Sequence, residues 1–577
     1  MPKLIDVIKR IFPKGTSPLS PEFWEDPPFW PPDAFAISAT LVNQSGCYAD
    51  QRYSTTGSPG YLFEAKILQE IIAGANQWAR HPFPNDITPE SVRNNWKRIL
   101  QYRDKDLSDI ELSKDQVFYD ALIILMLVAD EASGGIGFYD PDDPTPMSLF
   151  VYEENSEAYS ALLAGTNRTS RMLGRLHDNT VPLTSSLTWM ADPSEVVVQP
   201  KSRTPQVGCT LRSLSHHLSL LPTAREVKTQ WLYGALTSTE EPLNLLLVPF
   251  PFQLDSNSFV PAGKLAGAAG RFFDIKQDWL RDETYALRPV DIAQFLVGLI
   301  KAAKKETRRV DGLVLPEAAL SEEHVEEGAR ILSKQDDLQL FVSGISRPPS
   351  GSGKLPRNGV ASFLFTNGAI YTQWYQSKHH RWKLDGGQIR RYHLGDALHY
   401  RDSWWEQIDI SDRLCHFYVF RHGASMATLI CEDLARVDPV QTVLRAIGPN
   451  LIVVLLMDGP QLERRWPGRY ATVLADDPGS AVLTLTSMGM VRRSRMPGEK
   501  ERREIALWKE PGGEAKELSL PDGCHGLLVT LSQSWETNYT LDGRSDNKST
   551  MNLSLTGARG VCHPHPENWI DDHRRVW

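Results

Sequence analysis

Cysteine patterns that bind metals or build disulfide scaffolds are absent from this sequence of 577 residues. It contains 6 cysteines, and no two of them are spaced as CxxC. Scattered cysteines in a long chain are typical of a protein in a reducing compartment. The adjacent His216 and His217 would diverge on a helix and on a strand alike, so they do not predict a metal site. We therefore expect a cytoplasmic protein with free thiols, without a metal and without a cofactor.

Long apolar runs are also absent. The longest of note, Ala121 to Ala129, lies between Asp120 and Asp130 and is far shorter than the roughly 18 residues that span a bilayer. The N-terminal segment has no apolar run of the length found in secretory signals. The net charge of 62 − 71 = −9 argues against a general nucleic-acid-binding surface. We expect neither a membrane nor a nucleic acid as partner.

The pattern of residues 1–235 predicts a mainly helical N-terminal domain. Apolar residues recur at helical spacing through 61–131. A short amphipathic helix over 4–12 is expected to pack on the same protein or on a partner rather than to lie on a membrane. Residues 13–60, rich in proline and tryptophan, predict an extended segment without regular structure. A short helical piece is expected within 209–221. The sequence leaves the role of this domain open, with a protein partner as one candidate.

The pattern changes in residues 236–577, where predicted strands and helices alternate. Leu243 to Phe252 is an almost continuous apolar run, typical of a strand buried on both faces. Asp291 opens a one-sided amphipathic helix, which leads into a second apolar strand, Val310 to Leu320. Such alternation predicts an α/β fold in which helices cover a two-layered sheet.

Three chemically useful side chains lie on or just after predicted strands. Glu317 stands in VDGLVLPEAAL, Lys378 in the aromatic segment IYTQWYQSKHHRWKL, and Cys431 at the end of the strand in ATLICEDL. A thiol where a strand turns projects into a cleft, and the N–H of the next residue, Glu432, can point at an oxyanion. A single cysteine at the end of an apolar strand is usually a small core residue. The prediction of a site therefore depends on all three residues together.

With Glu317, Lys378 and Cys431 in this order, the chain resembles the carbon–nitrogen hydrolase (nitrilase and amidase) superfamily over about residues 241–545. Their separations are 378 − 317 = 61 and 431 − 378 = 53 residues. The second is longer than is usual there, which suggests an insertion around 385–405. The resemblance implies an αββα sandwich for the C-terminal domain, and homo-oligomers formed through that domain.

The resemblance also implies a chemistry. Glu317 would take the proton from Cys431 and later activate water, while Lys378 and the backbone N–H of Glu432 would stabilise the oxyanion. The expected reaction is hydrolysis of a carbon–nitrogen bond through an acyl-enzyme on the cysteine. Cys431, Glu432 and Asp433 resemble the Cys-Glu-Asp of glutamine-hydrolysing domains, which favours a small-molecule amide over a nitrile as substrate.

Three alternatives stay open at this point. Lys383 competes with Lys378 for the catalytic role. The superfamily usually has a second glutamate several residues after the lysine, and near Gln388 there is none. A binding or regulatory protein that keeps the hydrolase fold without turnover is therefore the second hypothesis. The third is a papain-like protease, whose candidate bases are His380, His393, His416 and His422.

Overall fold

The protein is a mixed α/β structure with two hydrophobic cores, one in the helical part and one in the strand-rich part. The computed structural model describes residues 2–49, 63, 65–80, 87–136, 186–233, 241–264, 270–281, 286–347, 354–421, 424–547 and 549–564. The predicted domain boundary at residue 235 lies outside the described residues.

Eleven α-helices occur in the described ranges. They are α1 (Leu4–Ile11), α2 (Pro31–Ser45), α3 (Ala65–Arg80), α4 (Glu90–Leu100), α5 (Gln116–Ala132), α6 (Pro289–Thr307), α7 (Glu322–Leu332), α8 (Gly386–Arg391), α9 (Thr442–Ile447), α10 (Trp466–Asp476) and α11 (Met488–Arg493).

The first five helices pack around one core, with α5 buried along nearly its whole length. Helix α1 buries its apolar face in that core, so of the two packing alternatives the structure shows packing on its own protein. The prediction of an irregular segment over 13–60 is wrong where α2 forms. Pro31 and Pro32 occupy the first turn of α2, where their missing N–H groups cost nothing. Gly46 ends the helix in the left-handed conformation, with φ of 66°.

The helical piece expected within 209–221 is also wrong in its second part, where the chain forms a strand. Leu218–Leu221 pairs antiparallel with Val197–Pro200. The buried carboxylate of Asp130 accepts hydrogen bonds from the backbone N–H groups of His216, His217 and Leu218. Because these donors are bound by a side chain of α5, the chain leading into this strand has no need of helical hydrogen bonds.

Twenty β-strands occur in the described ranges. They are β1 (Val197–Pro200), β2 (Leu218–Leu221), β3 (Lys228–Tyr233), β4 (Leu243–Leu247), β5 (Phe259–Lys264), β6 (Gly270–Ile275), β7 (Gly312–Ser321), β8 (Leu340–Arg347), β9 (Arg357–Thr366), β10 (Ala369–Ser377), β11 (Lys383–Leu384), β12 (Ser403–Glu406), β13 (Leu414–Arg421), β14 (Ala424–Ile430), β15 (Leu451–Leu456), β16 (Ala481–Thr486), β17 (Glu504–Lys509), β18 (Lys516–Ser519), β19 (Gly526–Glu536) and β20 (Thr550–Val561).

Two seven-stranded sheets dominate the second core. Their strand orders are β10-β9-β8-β7-β4-β19-β20 and β18-β17-β16-β15-β14-β13-β3. Strand β3, which precedes residue 235, pairs parallel with β13 at the edge of the second sheet. The remaining strands form a four-stranded sheet, β11-β12-β6-β5, and the pair β1-β2.

The two large sheets contact each other, and helices lie against them. Strand β7 contacts β15 and β16 of the other sheet, and β9 contacts β14. Helices α6 and α7 pack on the first sheet and α10 on the second. Strands β14, β15 and β16 are buried along their whole length, as expected for central strands covered on both faces.

None of the helices in the described part of the chain combines the length and the hydropathy that a bilayer span requires.

Candidate active site

The three predicted site residues lie at the ends of strands, or at an irregularity within one, in the two facing sheets. Glu317 lies in β7 where its pairing with β8 shifts between Leu315 and Leu320. The following residue, Ala318, has a left-handed φ of 53°. Such a bulge redirects a side chain that a regular strand would keep in the core. Gly344 of β8 makes room for it, since an added Cβ would lie 2.3 Å from the carbonyl oxygen of Pro316.

Lys378 directly follows β10, and its ammonium lies between two carboxylates. Its Nζ is 2.7 Å from Oε1 of Glu317 and 2.7 Å from Oε2 of Glu406. Burial alone would lower the Lys378 pKa, but Glu317, Glu406 and Cys431 raise it well above its usual value. The side chain is fully buried, so the ammonium stays charged and is excluded from solvent.

The sequence does not predict Glu406, since the resemblance places a second glutamate near Gln388, where there is none. The expectation that this acid is missing is wrong, because the last residue of β12 brings a carboxylate to the lysine. Asn358 holds the two acids in place, since its Nδ2 donates to Glu317 Oε1 at 2.8 Å and to Glu406 Oε1 at 2.7 Å. In the sequence, Glu406 is marked by its place after two tryptophans in SWWEQ.

Glu317 keeps one carboxylate oxygen available. Its Oε1 accepts from Lys378 and Asn358, whereas Oε2 is buried without a hydrogen-bond partner in the described part of the chain. Burial raises the Glu317 pKa, against the lowering effect of Lys378 and with a further raising effect from Glu406. A buried carboxylate with one free oxygen and a raised pKa is suited to accept a proton.

Cys431 opens a 3-10 turn, Cys431–Ala435, immediately after β14. Its left-handed φ of 43° is unusual for a residue with a side chain, and the residue is 2% exposed. Burial raises its pKa well above the usual range, and Glu317 raises it further while Lys378 opposes this. The resting thiol is therefore protonated, so a reaction at this sulfur would require a base to remove the proton.

Glu432 is the second residue of that turn. In a 3-10 helix the first N–H groups have no acceptor within the helix, which suits the backbone N–H of Glu432 to an oxyanion. Its side chain points elsewhere, since Oε2 lies 2.8 Å from Nη2 of Arg436.

Asp433 ties the cysteine turn to the lysine strand. Its buried carboxylate accepts from the backbone N–H of His379, at 3.1 and 3.2 Å, and lies 3.0 Å from Nδ1 of His380. His379 follows Lys378 directly, so this contact fixes the chain after β10 relative to the turn after β14. Lys378 and Cys431, which follow strands of different sheets, are thereby held in fixed relative positions.

Lys383, the alternative lysine, lies elsewhere. Its side chain is exposed on β11, and its Nζ lies 5.1 Å from the ring centroid of Trp405. The expected insertion over 385–405 contains α8 and runs into β12, which carries Glu406. The geometry thus favours Lys378 as the lysine of the site.

Three of the four histidines named as possible bases for a papain-like protease make other contacts. Rings of His380, His393 and His416 face Asp433 Oδ1, the carbonyl of Arg495 and Gln230 Oε1, at 3.0, 2.8 and 3.0 Å respectively. His422 lies outside the described residues. None of the largest electrostatic influences on the Cys431 pKa is a histidine. In the described ranges, moreover, no group of three or more His, Cys, Asp or Glu side chains is suited to hold a metal ion.

Comparison with known proteins gives matches among solved structures only. No family model matches the sequence, and no curated protein matches it. An amidase from Nesterenkonia sp. is 14% identical with a TM-score of 0.30, and the match covers 52% of this chain and 93% of that one. Nit3 of Saccharomyces cerevisiae, a nitrilase-superfamily member, is 11% identical with a TM-score of 0.29, covering 48% and 87%. A carbon–nitrogen hydrolase from Helicobacter pylori is 10% identical with a TM-score of 0.26, covering 58% and 93%.

The three matches cover between 48% and 58% of this chain.

Proposed function

We propose that this protein is a thiol hydrolase that cleaves a carbon–nitrogen bond, with an amide rather than a nitrile as substrate. The observation that carries the proposal is the buried ammonium of Lys378 between Glu317 and Glu406, with its charge acting on the Cys431 thiol. The two contacting seven-stranded sheets with helices packed against each support an αββα sandwich of the nitrilase type as the scaffold.

The first half of the reaction forms a thioester. Glu317 takes the thiol proton through its free Oε2 as the Cys431 sulfur bonds to the amide carbon. Negative charge then develops on the former carbonyl oxygen, where the Lys378 ammonium and the Glu432 N–H stabilise it. The carbon–nitrogen bond breaks, and the proton held by Glu317 goes to the leaving ammonia or amine.

The second half reverses the proton transfers with water. Glu317 takes a proton from water while the water oxygen attacks the thioester carbon. The carbon–sulfur bond then breaks. The thiolate recovers the proton from Glu317, and the acid product leaves. No other reactant is required.

Glu406 keeps the lysine charged without taking part in proton transfer. A single buried carboxylate beside Lys378 could neutralise it by proton exchange, whereas two carboxylates hold its pKa well above the usual value. Asn358 donates to both carboxylates and so fixes their separation.

The second hypothesis, a binding or regulatory protein without turnover, is favoured by the burial of Cys431 and by its raised pKa. The absence of a second glutamate, which raised this hypothesis from the sequence, is offset by Glu406, whose carboxylate contacts Lys378. We propose a homo-oligomer formed through the strand-rich part for either hypothesis, and a protein partner for the helical part.

The test compares the wild-type protein with Cys431→Ala in a metabolite extract followed by mass spectrometry. We expect the wild-type protein to consume one or more amides and to release the matching acids, and Cys431→Ala to leave them intact. Consumption that is equal for both proteins contradicts the proposal, and wild-type protein that binds amides without consuming them supports the binding hypothesis.

A further inference from the structure

Asp458 lies beside the cysteine turn at the same edge of the sheet. Strand β15 pairs parallel with β14, and Ile430 lies opposite Leu455. Cys431 and Asp458 therefore follow the carboxyl ends of neighbouring parallel strands, which is where α/β sheets bind ligands. The charge of Asp458 also raises the Cys431 pKa, by less than burial, Glu317 and Glu432 do.

The two oxygens of the Asp458 carboxylate have different surroundings. Oδ1 accepts hydrogen bonds from the hydroxyl of Tyr392 and from Nη2 of Arg465, the latter at 2.7 Å. Oδ2 has no hydrogen-bond partner among the described residues, although Asp458 is only 3% exposed. A buried carboxylate oxygen without a donor is costly and uncommon in native proteins. A ligand that donates a hydrogen bond would satisfy this oxygen.

The Asp458 carboxylate is fixed in orientation. Its backbone N–H donates to Oγ1 of Thr486 at 3.2 Å, and its carbonyl accepts from the same hydroxyl at 2.6 Å. Burial and the Asp458 charge raise the Tyr392 pKa well above its usual value, so the phenol keeps the proton that it donates. A rigid carboxylate with one oxygen occupied and one free is a preorganised acceptor.

The charges that act on the thiol are mostly negative. Three carboxylates, Glu317, Glu432 and Asp458, raise the Cys431 pKa, and one cation, Lys378, lowers it. A ligand with a positive charge would balance the site, whereas an anionic ligand would add to the excess.

We propose that Oδ2 of Asp458 binds the protonated amino group of the substrate, which is then an aliphatic carboxamide carrying a primary ammonium. The inference rests on the proposed function for the reaction and goes beyond it in naming the substrate class. Binding the cation offsets the carboxylates that disfavour the Cys431 thiolate, so the thiol loses its proton more readily when the substrate is present. Arg465 occupies Oδ1 and directs the ammonium to Oδ2.

The test uses three thiol reagents that differ in charge and need no catalysis. The 2-ammonioethyl, ethyl and 2-sulfonatoethyl methanethiosulfonates each form a mixed disulfide, and the rate at Cys431 is read from its peptide by mass spectrometry. In the wild-type protein we expect the cationic reagent to react at least about tenfold faster than the neutral one, and the anionic reagent most slowly. Equal rates, or the reverse order, overturn the inference whatever the variants do.

Two variants assign the preference to a residue. Asp458→Asn keeps an oxygen for Tyr392 and Arg465 but removes the charge, so the cationic-to-neutral rate ratio is expected to fall to about one tenth of the wild-type ratio. Glu432→Gln removes another charge that acts on the thiol, and it is expected to lower the ratio less. A larger fall in Glu432→Gln, or no fall in Asp458→Asn, overturns the assignment to Asp458.

Hydrolysis separates this inference from the proposed function. The kcat/KM of wild-type protein is compared for 4-aminobutanamide and its uncharged counterpart pentanamide, with a higher value expected for the ammonium substrate. Cysteine-dependent hydrolysis of both amides at equal kcat/KM, with equal reagent rates, overturns the subsite and leaves the hydrolase intact. A reagent preference that depends on Asp458, in a protein that consumes no amide of the metabolite extract, supports the subsite and contradicts the hydrolase.

Discussion

Lys378 and Glu406 are in direct contact, with Nζ 2.7 Å from Oε2, although 28 residues separate them in the chain. With Glu317 at the same distance on the other side, the contact makes a buried triplet of two acids and one base. Buried charges are tolerated only when they are paired and hydrogen-bonded. The triplet therefore has consequences for both stability and activity.

Glu406→Gln is expected to reduce both. The variant leaves Lys378 with a single carboxylate partner, and breaking a buried pair lowers the free energy of unfolding by about 3 kcal/mol. Displacement of the ammonium from the oxyanion position lowers kcat by about a hundredfold. Urea unfolding and amide hydrolysis measure the two effects.

The matched control for this variant is Glu327→Gln on α7. Glu327 pairs with Arg330, whose side chain is 66% exposed, and such a surface pair contributes little. We expect no measurable change in stability or activity. Equal effects of the two substitutions would contradict the role given to Glu406.

Lys378→Met is expected to abolish most of the activity, and Lys383→Met to retain it. The first removes the buried ammonium, and loss of one oxyanion donor costs about a hundredfold to a thousandfold in kcat. The second removes an exposed side chain that contacts the ring of Trp405. Steady-state kinetics of both variants with one amide decides which lysine is catalytic. A larger loss of kcat in Lys383→Met than in Lys378→Met would contradict the assignment to Lys378.

Gly344→Ala is expected to disturb the site through the backbone of Glu317. An added Cβ would lie 2.5 Å from the Glu317 Cα and 2.3 Å from the Pro316 carbonyl oxygen. Such overpacking costs about 1–3 kcal/mol, and the shift of the bulge lowers kcat more than it changes KM. Unfolding and kinetics are measured together.

Gly328→Ala is the control for that substitution. Its added Cβ would lie 3.8 Å from Cε1 of Phe341, an ordinary contact, and alanine is the better helix former. Stability is expected to stay the same or to rise, with unchanged activity. A Gly344→Ala protein as stable and active as Gly328→Ala would show that β8 does not position the glutamate.

The strands that carry Glu317 and Cys431 could be predicted because they are apolar runs long enough to be buried on both faces. Glu406 could not, since β12 is a short strand whose pairing with β6 depends on chain more than a hundred residues earlier. Helix α2 was missed because prolines in its first turn resemble those of an extended segment. Asp458 was missed because its surroundings come from Tyr392 and Arg465, which are distant in sequence from Cys431.

The helical part offers a prediction for stability against pH. Burial raises the Asp33 pKa from its ordinary 3.8 to about 7, against the lowering effect of hydrogen bonds from the backbone N–H groups of Met190, Ala191 and Trp189. Between these values the folded state holds a proton that the unfolded state has lost. Its contribution to stability is therefore present below pH 3.8 and is lost as pH rises to about 7, by at most about 1.4 kcal/mol per unit.

Asp33→Asn removes the carboxyl group that binds this proton. The difference in unfolding free energy between the wild-type protein and the variant is expected to fall as pH rises from 4 to 7, in urea titrations at about unit steps of pH. An exposed control, Asp104→Asn, changes a side chain that is 79% exposed and should show no such slope. A difference that is constant with pH for Asp33→Asn would contradict the linkage.

The central claim is that Cys431 carries the acyl group during amide hydrolysis. Its most direct test is acid quenching during turnover of an amide substrate, followed by mass measurement of the peptide that contains Cys431. The account predicts an acyl adduct on Cys431 in the wild-type protein, a much smaller amount in Glu317→Gln, which lacks the base for acylation, and none in Cys431→Ala. Turnover that persists in Cys431→Ala, or an adduct on a different residue, would contradict it.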